Sequence, residues 1–211
     1  QGKSVSTFKK GPDYIDSGWL GVASGSPCRN LDFHTQSNDE IVASFTAATT
    51  DVRLVEGTKG LHDGVAADGS DSNAAMALLL GTPVVLVLDT RGMTRGVASL
   101  ARGLVEFDPC IQVVGVIFNR VGGARHQAKL VAAIQTYTDL EVFGSVGEDA
   151  TLGIEQRHLG LTTAVESDGG AFGVAALGRR VAAEVNVDRL AALGSATHLP
   201  APRDVVLAGK K

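Results

Sequence analysis

The pattern of hydrophobic and polar residues along the chain predicts strands that alternate with helices. Five short runs rich in valine, isoleucine, leucine and phenylalanine end at a glycine or a polar residue, as strands usually do. These runs are Val5–Lys9, Val52–Glu56, Pro83–Leu88, Val113–Phe118 and Glu141–Val146. The most continuous of them predict strands that are buried on both faces, as in a parallel sheet.

Four segments between and after these runs have the apolar spacing of helices. Ser72–Leu80 begins with a residue that favours the N-cap position and ends at Gly81, a good helix terminator. Thr94–Phe107, Arg125–Tyr137 and Ala171–Val185 repeat apolar residues about every 3.6 positions. Strands that alternate with such helices predict an α/β fold with a doubly wound, mainly parallel sheet.

Composition and charge narrow the class of protein. The chain has 211 residues, of which 44% are hydrophobic and 20% are charged, so it can form a folded core. We expect one α/β domain over residues 1–195 and a linker or tail over residues 196–211. The formal net charge is −4 and only 5% of the residues are aromatic, which argues against a nucleic-acid-binding module with a basic surface.

Cysteine usage and hydropathy suggest where the protein works. Cys28 and Cys110 are too few for a disulfide scaffold or a cysteine-rich metal site, so we expect two reduced thiols. No apolar run reaches the ~18 residues of a membrane span. The first residues also lack the apolar segment of a signal peptide. We therefore expect a cytoplasmic protein without a membrane segment.

Polar clusters follow four of the predicted strands at the point where each strand ends. They are Gly11–Asp16, Glu56–Asp63, Asp89–Arg95 and Asn119–Val121. In open parallel sheets, ligands bind at the carboxyl ends of the strands. The agreement between four separate segments predicts an active site at that edge of the sheet.

The first two clusters each allow a functional and a structural interpretation. The segment KKGPDYID (9–16) offers cations for a phosphate or carboxylate, and acids for Mg²⁺ or for orienting a nucleophile. Taken alone, the segment favours the structural interpretation of a charged turn with a helix cap, the usual outcome for Pro-Asp. The segment EGTKGLHDG (56–64) places a strand-end carboxylate beside three glycines. That pattern suits a hard cation next to phosphates, and its alternative is a glycine-rich turn.

Asp32 and Asn119 each allow a functional and a structural interpretation, and the histidines give no metal-binding signal. Asp32 is either a second metal ligand or the N-cap of the next helix. Asn119 either binds a nucleobase through its amide or simply ends its strand. The histidines show no paired metal-ligand spacing, so we interpret them as surface or supporting residues, namely His34, His62, His126 and His158.

Taken together, these segments resemble the cobyrinic acid a,c-diamide synthases of cobalamin biosynthesis. The resemblance lies in FKKGPDYID (8–16), PCRNLD (27–32), EGTKGLHDG (56–64), PVVLVLDTRGMTRG (83–96) and DPCIQVVGVIFNRVGGARH (108–126), which occur in the family's order. It implies a P-loop NTPase-like fold related to dethiobiotin synthetase. It further implies a ligase that uses ATP and Mg²⁺ to convert acetate side chains of a tetrapyrrole into amides. The expected intermediate is an acyl phosphate, and the ammonia comes from glutamine in a separate glutaminase domain.

The resemblance also assigns roles to residues of this chain. The implied catalytic residues are Lys9, Asp13, Glu56 and Asp63, with Lys9 neutralising phosphate charge and Asp13 and Asp63 positioning the substrate carboxylate and ammonia. Asp32 and Glu56 are the implied Mg²⁺ ligands, and Asn119 the implied adenine-binding residue. The implied substrate-binding residues are Tyr14, Asp16, Lys59, Ser72 and Asn73.

Two departures from the family pattern lead to further expectations. The family begins with a strand, a phosphate-binding loop and a helix, and this sequence starts where that helix should be ending. We therefore expect the domain to be incomplete at its N-terminus and these 211 residues alone to lack ATP hydrolysis. Neither cysteine lies on a strand-to-helix turn with a histidine partner, so ammonia is expected to come from a glutaminase domain outside these residues.

There are alternatives both for the substrate and for the catalytic role. Thr58-Lys59 and Asp71-Ser72-Asn73 look more like a branch of the family that amidates sirohaem for dissimilatory sulfite reductase. A non-catalytic tetrapyrrole-binding module that lacks the phosphate-binding loop is the second alternative. The family's relatives also allow a homodimer.

Overall fold

The fold is built from parallel strands and the helices that connect them, in two compact units. The computed structural model describes residues 2–149, 156–157, 160–161 and 170–196. The first unit is built mainly on the chain up to Thr82, and the second on Pro83–Leu193. Within the described part of the chain, no helix combines the length and the apolar character needed to cross a membrane.

The first unit contains a three-stranded parallel sheet with the strand order β2-β1-β3. Its strands are β1 (Val5–Lys10), β2 (Arg29–Leu31) and β3 (Val52–Glu56). Each strand is followed by a helix, namely α1 (Ile15–Ser24), α2 (Asn38–Thr46) and α3 (Asn73–Leu80). The register places Lys9 beside Glu56 on one side and Asn30 on the other. The charged strand ends therefore meet at one edge of the sheet.

The core of the first unit joins the sheet to α2 and α3. Phe8 of β1 is fully buried, and its ring centroid lies 5.3 Å from that of Phe45 in α2. The other buried members are Leu31, Ile41, Val42, Met76 and Leu80. Each large apolar side chain buried in this way contributes about 1.5–3 kcal/mol relative to an exposed position. This packing fixes the strand ends that carry the polar loops.

The second unit contains another three-stranded parallel sheet, with the order β4-β5-β6. Its strands are β4 (Val84–Asp89), β5 (Val113–Val121) and β6 (Glu141–Gly147). The helices α4 (Gly96–Phe107) and α5 (Ala124–Tyr137) connect them. A short antiparallel pair, β7 (Gln156–Arg157) and β8 (Gly160–Leu161), precedes α6 (Gly170–Glu184) and α7 (Val187–Ala196).

The predicted α/β class with parallel strands is confirmed. All five predicted strands and all four predicted helices are present; β3 matches at both ends, and no other end differs by more than three residues. Ser72 caps α3 by accepting a hydrogen bond from the backbone N–H of Ala75, and Gly81 ends it at a φ of 61°. The predicted tail over residues 196–211 lies outside the described residues, apart from Ala196 at the end of α7.

Six elements were not predicted, and one capping assignment is wrong. The additional elements are α1, β2, α2, β7, β8 and α7. Asp32 is not the N-cap of α2, because Ser37 occupies that position. Ser37 and Glu40 exchange side-chain to backbone hydrogen bonds there and form a capping box.

The expectation of strands buried on both faces is wrong for β3 and β4. Leu54 of β3 is 51% exposed and Val87 of β4 is 64% exposed. Among the described residues, β3 pairs only with β1, and β4 pairs only with β5. Each is therefore an edge strand of its sheet. The faces of a strand are covered by elements packed above and below the sheet, so the exposed side chains show that this cover is incomplete there.

Close contact between β5 and β6 gives a testable prediction about stability. A Cβ atom on Gly115 would overlap the carbonyl oxygen of Glu141 and the ring of Phe143. We expect Gly115→Ala to lower the free energy of unfolding by about 1–3 kcal/mol through overpacking. Urea denaturation followed by circular dichroism measures this change.

A matched glycine provides the control for that measurement. Gly103 lies on α4, and a Cβ atom there would meet no other atom within 4 Å. We expect Gly103→Ala to raise the free energy of unfolding by about 0.5–1 kcal/mol, because alanine favours helices more than glycine does. Equal effects of the two substitutions would contradict the predicted contact.

Candidate active-site cleft

The loops that follow β1, β2 and β3 line a cleft in the first unit. Its volume is about 410 Å³, within the usual range for small-molecule sites. Five of the predicted site residues line it, namely Asp13, Tyr14, Asp32, Lys59 and Asp63. The cleft lies at the carboxyl ends of parallel strands, where the sequence predicts it.

Lys9 is the nearly buried member of an ion triad beside this cleft. Its side chain is 3% exposed, and Nζ lies 2.7 Å from Asp16 Oδ2 and 3.3 Å from Glu56 Oε2. Nζ also donates a hydrogen bond to the carbonyl oxygen of Gly57. The triad therefore joins β1, the start of α1 and the end of β3 through one cation.

Burial and charge act against each other in this triad. Burial alone would lower the pKa of Lys9, but Asp16 and Glu56 outweigh it and hold that pKa above its ordinary value. Partial burial raises the pKa of Glu56, and Lys9 counteracts only part of that rise. Asp16 and Asp13 raise the pKa of Glu56 further through their negative charge. An additional cation nearby would therefore stabilise the ionised form of Glu56.

Asp13 organises the beginning of α1. Its Oδ1 atom accepts hydrogen bonds of 2.9 Å from the backbone N–H groups of Ile15 and Asp16. Its carbonyl oxygen accepts hydrogen bonds from Ser17 and Asn30, which fastens the loop to β2. The helix-cap interpretation of this segment is thus correct, and the same residue also lines the cleft.

Asp32 is buried directly after β2 and stabilises its own loop. One carboxylate oxygen accepts a hydrogen bond from the backbone N–H of His34, and the other accepts one from the hydroxyl of Thr35. Asp32 and Glu56 supply the oxygen ligands that Mg²⁺ prefers. No group of three or more metal-binding side chains occurs among the described residues. This donor set fits an ion that is bound by one or two carboxylates and completed by phosphate and water.

Ser72 and Asn73 hold the loop after β3 rather than line the cleft. The side chain of Asn73 donates hydrogen bonds to the carbonyl oxygens of Thr58 and Gly60, and it accepts one from the Thr58 N–H. A Cβ atom on Gly57 would come within 2.9 Å of the Asn73 side chain. The role of Ser72 and Asn73 in substrate binding stays a prediction. In the structure Asn73 shapes the loop that carries Lys59, and Ser72 caps α3.

The cleft contains a polar pair, Asp71 and His34, that was not predicted as part of the site. Asp71 is buried and accepts hydrogen bonds from the backbone N–H groups of Val65 and Ala66. Nε2 of His34 lies 3.0 Å from the Asp71 carboxylate. Burial tends to raise the pKa of Asp71, but these hydrogen bonds hold it below its ordinary value. The two residues are 37 positions apart, so no local sequence pattern could have paired them.

Asn119 belongs to the second unit and lies near the carboxyl end of β5. Its carbonyl oxygen accepts hydrogen bonds from the N–H and the hydroxyl of Thr90, a fully buried residue after β4. Its side-chain oxygen accepts one from the N–H of Arg120. Binding of adenine by the side-chain amide of Asn119 stays a prediction.

Comparison with known proteins establishes the class. A model of the AAA domain family matches residues 26–156, which is more than half of the chain. The chain therefore belongs to the AAA domain family, and its parallel α/β architecture is that of a P-loop NTPase-like domain.

Individual relatives specify the resemblance further. The chain is 40% identical to a cobyrinate a,c-diamide synthase of Magnetococcus marinus over 205 residues, which covers 96% of this chain and 44% of that protein. It is 34% identical to one from Methanobrevibacter smithii, over 95% of this chain and 46% of that protein. A hydrogenobyrinate a,c-diamide synthase of Thermobifida fusca is 38% identical, over 88% of this chain and 40% of that protein. The resemblance to a,c-diamide synthases is confirmed, and the chain spans less than half the length of these relatives.

The ion triad leads to a prediction about stability and pH. We expect Lys9→Met to lower the free energy of unfolding at pH 7 by about 1–3 kcal/mol. This is less than the ~3–5 kcal/mol of a fully buried pair, because Asp16 and Glu56 are partly exposed. Chemical denaturation of both proteins over a pH series measures the difference.

The sign of the pH dependence follows from the direction of the pKa shift. Because the pKa of Lys9 is raised, its contribution is complete below the ordinary value of 10.5 and is lost as the pH rises through the folded-state value. In acid, protonation of the carboxylates removes the charges that Lys9 compensates. The deficit should be largest between about pH 6 and 10. Lys129→Met, on the exposed surface of α5, is the control, and an equal deficit there would contradict the triad's role.

Proposed function

We propose that this chain is the ATP-dependent amidating domain that converts carboxylate side chains of cobyrinic acid into amides. The observation that carries the proposal is its 40% identity, over 96% of its length, to a cobyrinate a,c-diamide synthase. The cleft supports it, because five residues assigned by family resemblance meet there. The amidation reaction would take place in the cytoplasm, with ammonia supplied by a glutaminase domain.

The surface of the cleft suits a flat ring that carries acids. Tyr14 and Val65 line it and are 76% and 86% exposed, so they offer apolar surface to a macrocycle. Lys10 and Lys59 also line it and can pair with carboxylate side chains. Apolar contact area with a few charged groups is the usual composition of a small-molecule site.

The proposed reaction has two steps. A substrate carboxylate oxygen attacks the γ-phosphorus of ATP, ADP leaves, and an acyl phosphate forms. Ammonia then attacks the acyl carbon, phosphate leaves, and the amide nitrogen loses a proton. Asp13 and Asp63 would orient the carboxylate and the ammonia, and Lys59 would hold the neighbouring acid group. Alignment of this kind accounts for a large part of such a rate enhancement.

Charge neutralisation would come from residues on either side of the cleft. Asp32 and Glu56 would hold Mg²⁺, which supplies positive charge to the phosphate oxygens. Lys9 would also offset the negative charge of the phosphate oxygens, since its Nζ lies 3.3 Å from Oε2 of Glu56. Because Lys9 is fully paired with carboxylates, it would act by exchanging one of them for phosphate. Asn119 would bind the adenine base through its side-chain amide.

Sirohaem is the second candidate substrate. Thr58-Lys59 is the pair that resembles the sirohaem-amidating branch, and Lys59 lies in the cleft where it can contact a substrate acid. The two substrates share a tetrapyrrole ring with acetate side chains, so both fit the same argument.

The test is an amidation assay with both substrates. The protein, expressed from its complete reading frame, is incubated with ATP, Mg²⁺, and glutamine or ammonium chloride, and amides are detected by mass spectrometry. Amidation of cobyrinic acid is the expected result, and amidation of sirohaem alone would transfer the proposal to that substrate. Absence of both products, with tetrapyrrole binding retained in absorbance spectra, would support a non-catalytic binding module instead.

Lys59 gives a specific prediction within this assay. We expect Lys59→Met to raise the KM for cobyrinic acid about tenfold with little change in kcat, because it removes one charge-assisted contact to a substrate acid. Lys59→Arg should restore most of the affinity. Lys3→Met, at the opposite end of β1, is the charge-matched control. A fall in kcat at unchanged KM would contradict this role.

A further inference from the structure

Two arginines of the second unit converge on one carboxylate at the carboxyl ends of β4 and β5. Arg91 Nη2 lies 2.7 Å from Asp89 Oδ2, and Arg120 Nη1 lies 3.5 Å from the same oxygen. Both arginine side chains are about half exposed, at 55% and 48%. None of these residues has a role in the proposed function.

The cluster has more hydrogen-bond donors than its carboxylate can accept from. Each guanidinium carries five N–H donors in a planar fork. Arg91 contacts Asp89 through Nε and Nη2, whereas the recorded contact of Arg120 is a single long one through Nη1. The charge of Glu148 also acts on Arg91 and helps to raise its pKa. Arg120 is therefore the guanidinium with most remaining capacity for an anion.

The backbone of Arg120 is held in an unfavourable conformation. Its φ is +56°, in the left-handed region that favours glycine, and its N–H donates to the side chain of Asn119. Non-glycine residues in this region are uncommon, and such strain concentrates at binding sites. An arginine in place of glycine here has a cost in stability, which points to a use for its side chain.

Neighbouring contacts hold both arginines in place before any ligand binds. Thr90, which lies between Asp89 and Arg91 in sequence, is fully buried and donates two hydrogen bonds to the Asn119 carbonyl oxygen, which ties the two strand ends together. Asp89 restricts the Arg91 guanidinium through contacts of 3.1 and 2.7 Å and the Arg120 guanidinium only through one of 3.5 Å, so part of the ordering precedes binding. The location is also favourable, because parallel sheets bind ligands at the carboxyl ends of their strands.

We propose that Arg91 and Arg120, arranged by Asp89, form an oxyanion-binding site in the second unit that takes a phosphate or carboxylate group. A guanidinium fork matches both groups with two parallel hydrogen bonds. The proposal rests on the proposed function for the source of the anion, which would be ATP or an acid side chain of the tetrapyrrole. The anion-binding property itself does not depend on that function.

The experiment measures binding by isothermal titration calorimetry with the protein expressed from its complete reading frame. The probes are inorganic pyrophosphate, ATP and cobyrinic acid, and the variants are Arg120→Gly and Arg91→Gln. We expect each variant to raise the Kd for pyrophosphate, and for at least one of the other probes, about tenfold. A loss with ATP identifies phosphate as the ligand group, and a loss with cobyrinic acid identifies carboxylate.

Thermal unfolding separates a binding role from a structural one. Glycine adopts a φ of +56° without strain, so the melting temperature of Arg120→Gly should stay within about 2 °C of the parent protein or rise. If Arg120 only supports the fold, the melting temperature should fall clearly and the Kd values should be unchanged. Arg102→Gln removes the same charge from the exposed face of α4 and should change no Kd more than about twofold.

The outcomes distinguish this inference from the proposed function. Unchanged Kd values for all three probes in either variant would overturn the oxyanion site. Weaker pyrophosphate binding in both variants, together with no amidation by the parent protein, would uphold the site and reject the amidation proposal. Loss of binding in Arg102→Gln to the same extent would reduce the effect to net charge and would also overturn the site.

Discussion

The ammonium group of Lys9 determines how the first unit presents its cleft. A cation that is 3% exposed is stable only when opposite charges surround it, so Asp16 and Glu56 have to approach it from two different elements. Their approach sets the start of α1 against the ends of β1 and β3. Asp13 lies one turn before Asp16 and caps the same helix, so its position in the cleft follows from that ion triad.

Much of the cleft is arranged by hydrogen bonds within the protein. The Asp71 carboxylate accepts hydrogen bonds from two backbone N–H groups and lies 3.0 Å from Nε2 of His34. The side chain of Asn73 donates hydrogen bonds that hold the loop carrying Lys59. Glycine at position 64 is required there, since a Cβ atom would overlap the Asp71 carboxylate. A cleft in which the polar groups already have partners loses little conformational freedom when a ligand binds. This suits a reaction that depends mainly on alignment.

The sequence predicts the location of the cleft better than the partners inside it. Strand-end clusters are visible as local patterns, and the segments around Asp13 and Asp63 do meet in the structure. The pairing of His34 with Asp71 depends on two loops that are distant in sequence. The spacing of apolar residues does not reveal α1, because Gly18 and Gly21 interrupt its apolar stripe. Strand β2 is only three residues long, which is too short to show a pattern. Long-range contacts therefore decide which polar residues bind ligand and which shape loops.

The capped start of α1 has an optical consequence. Trp19, the chain's single tryptophan, lies on this helix, little more than one turn after its first residue. Its indole emission therefore comes from the first unit alone, without labelling or mutation. Any displacement of the Asp13 cap or of the Lys9–Asp16 pair shifts the helix that carries the indole. Within these 211 residues the second unit has no tryptophan, so a change in indole emission reports on the unit that contains the cleft.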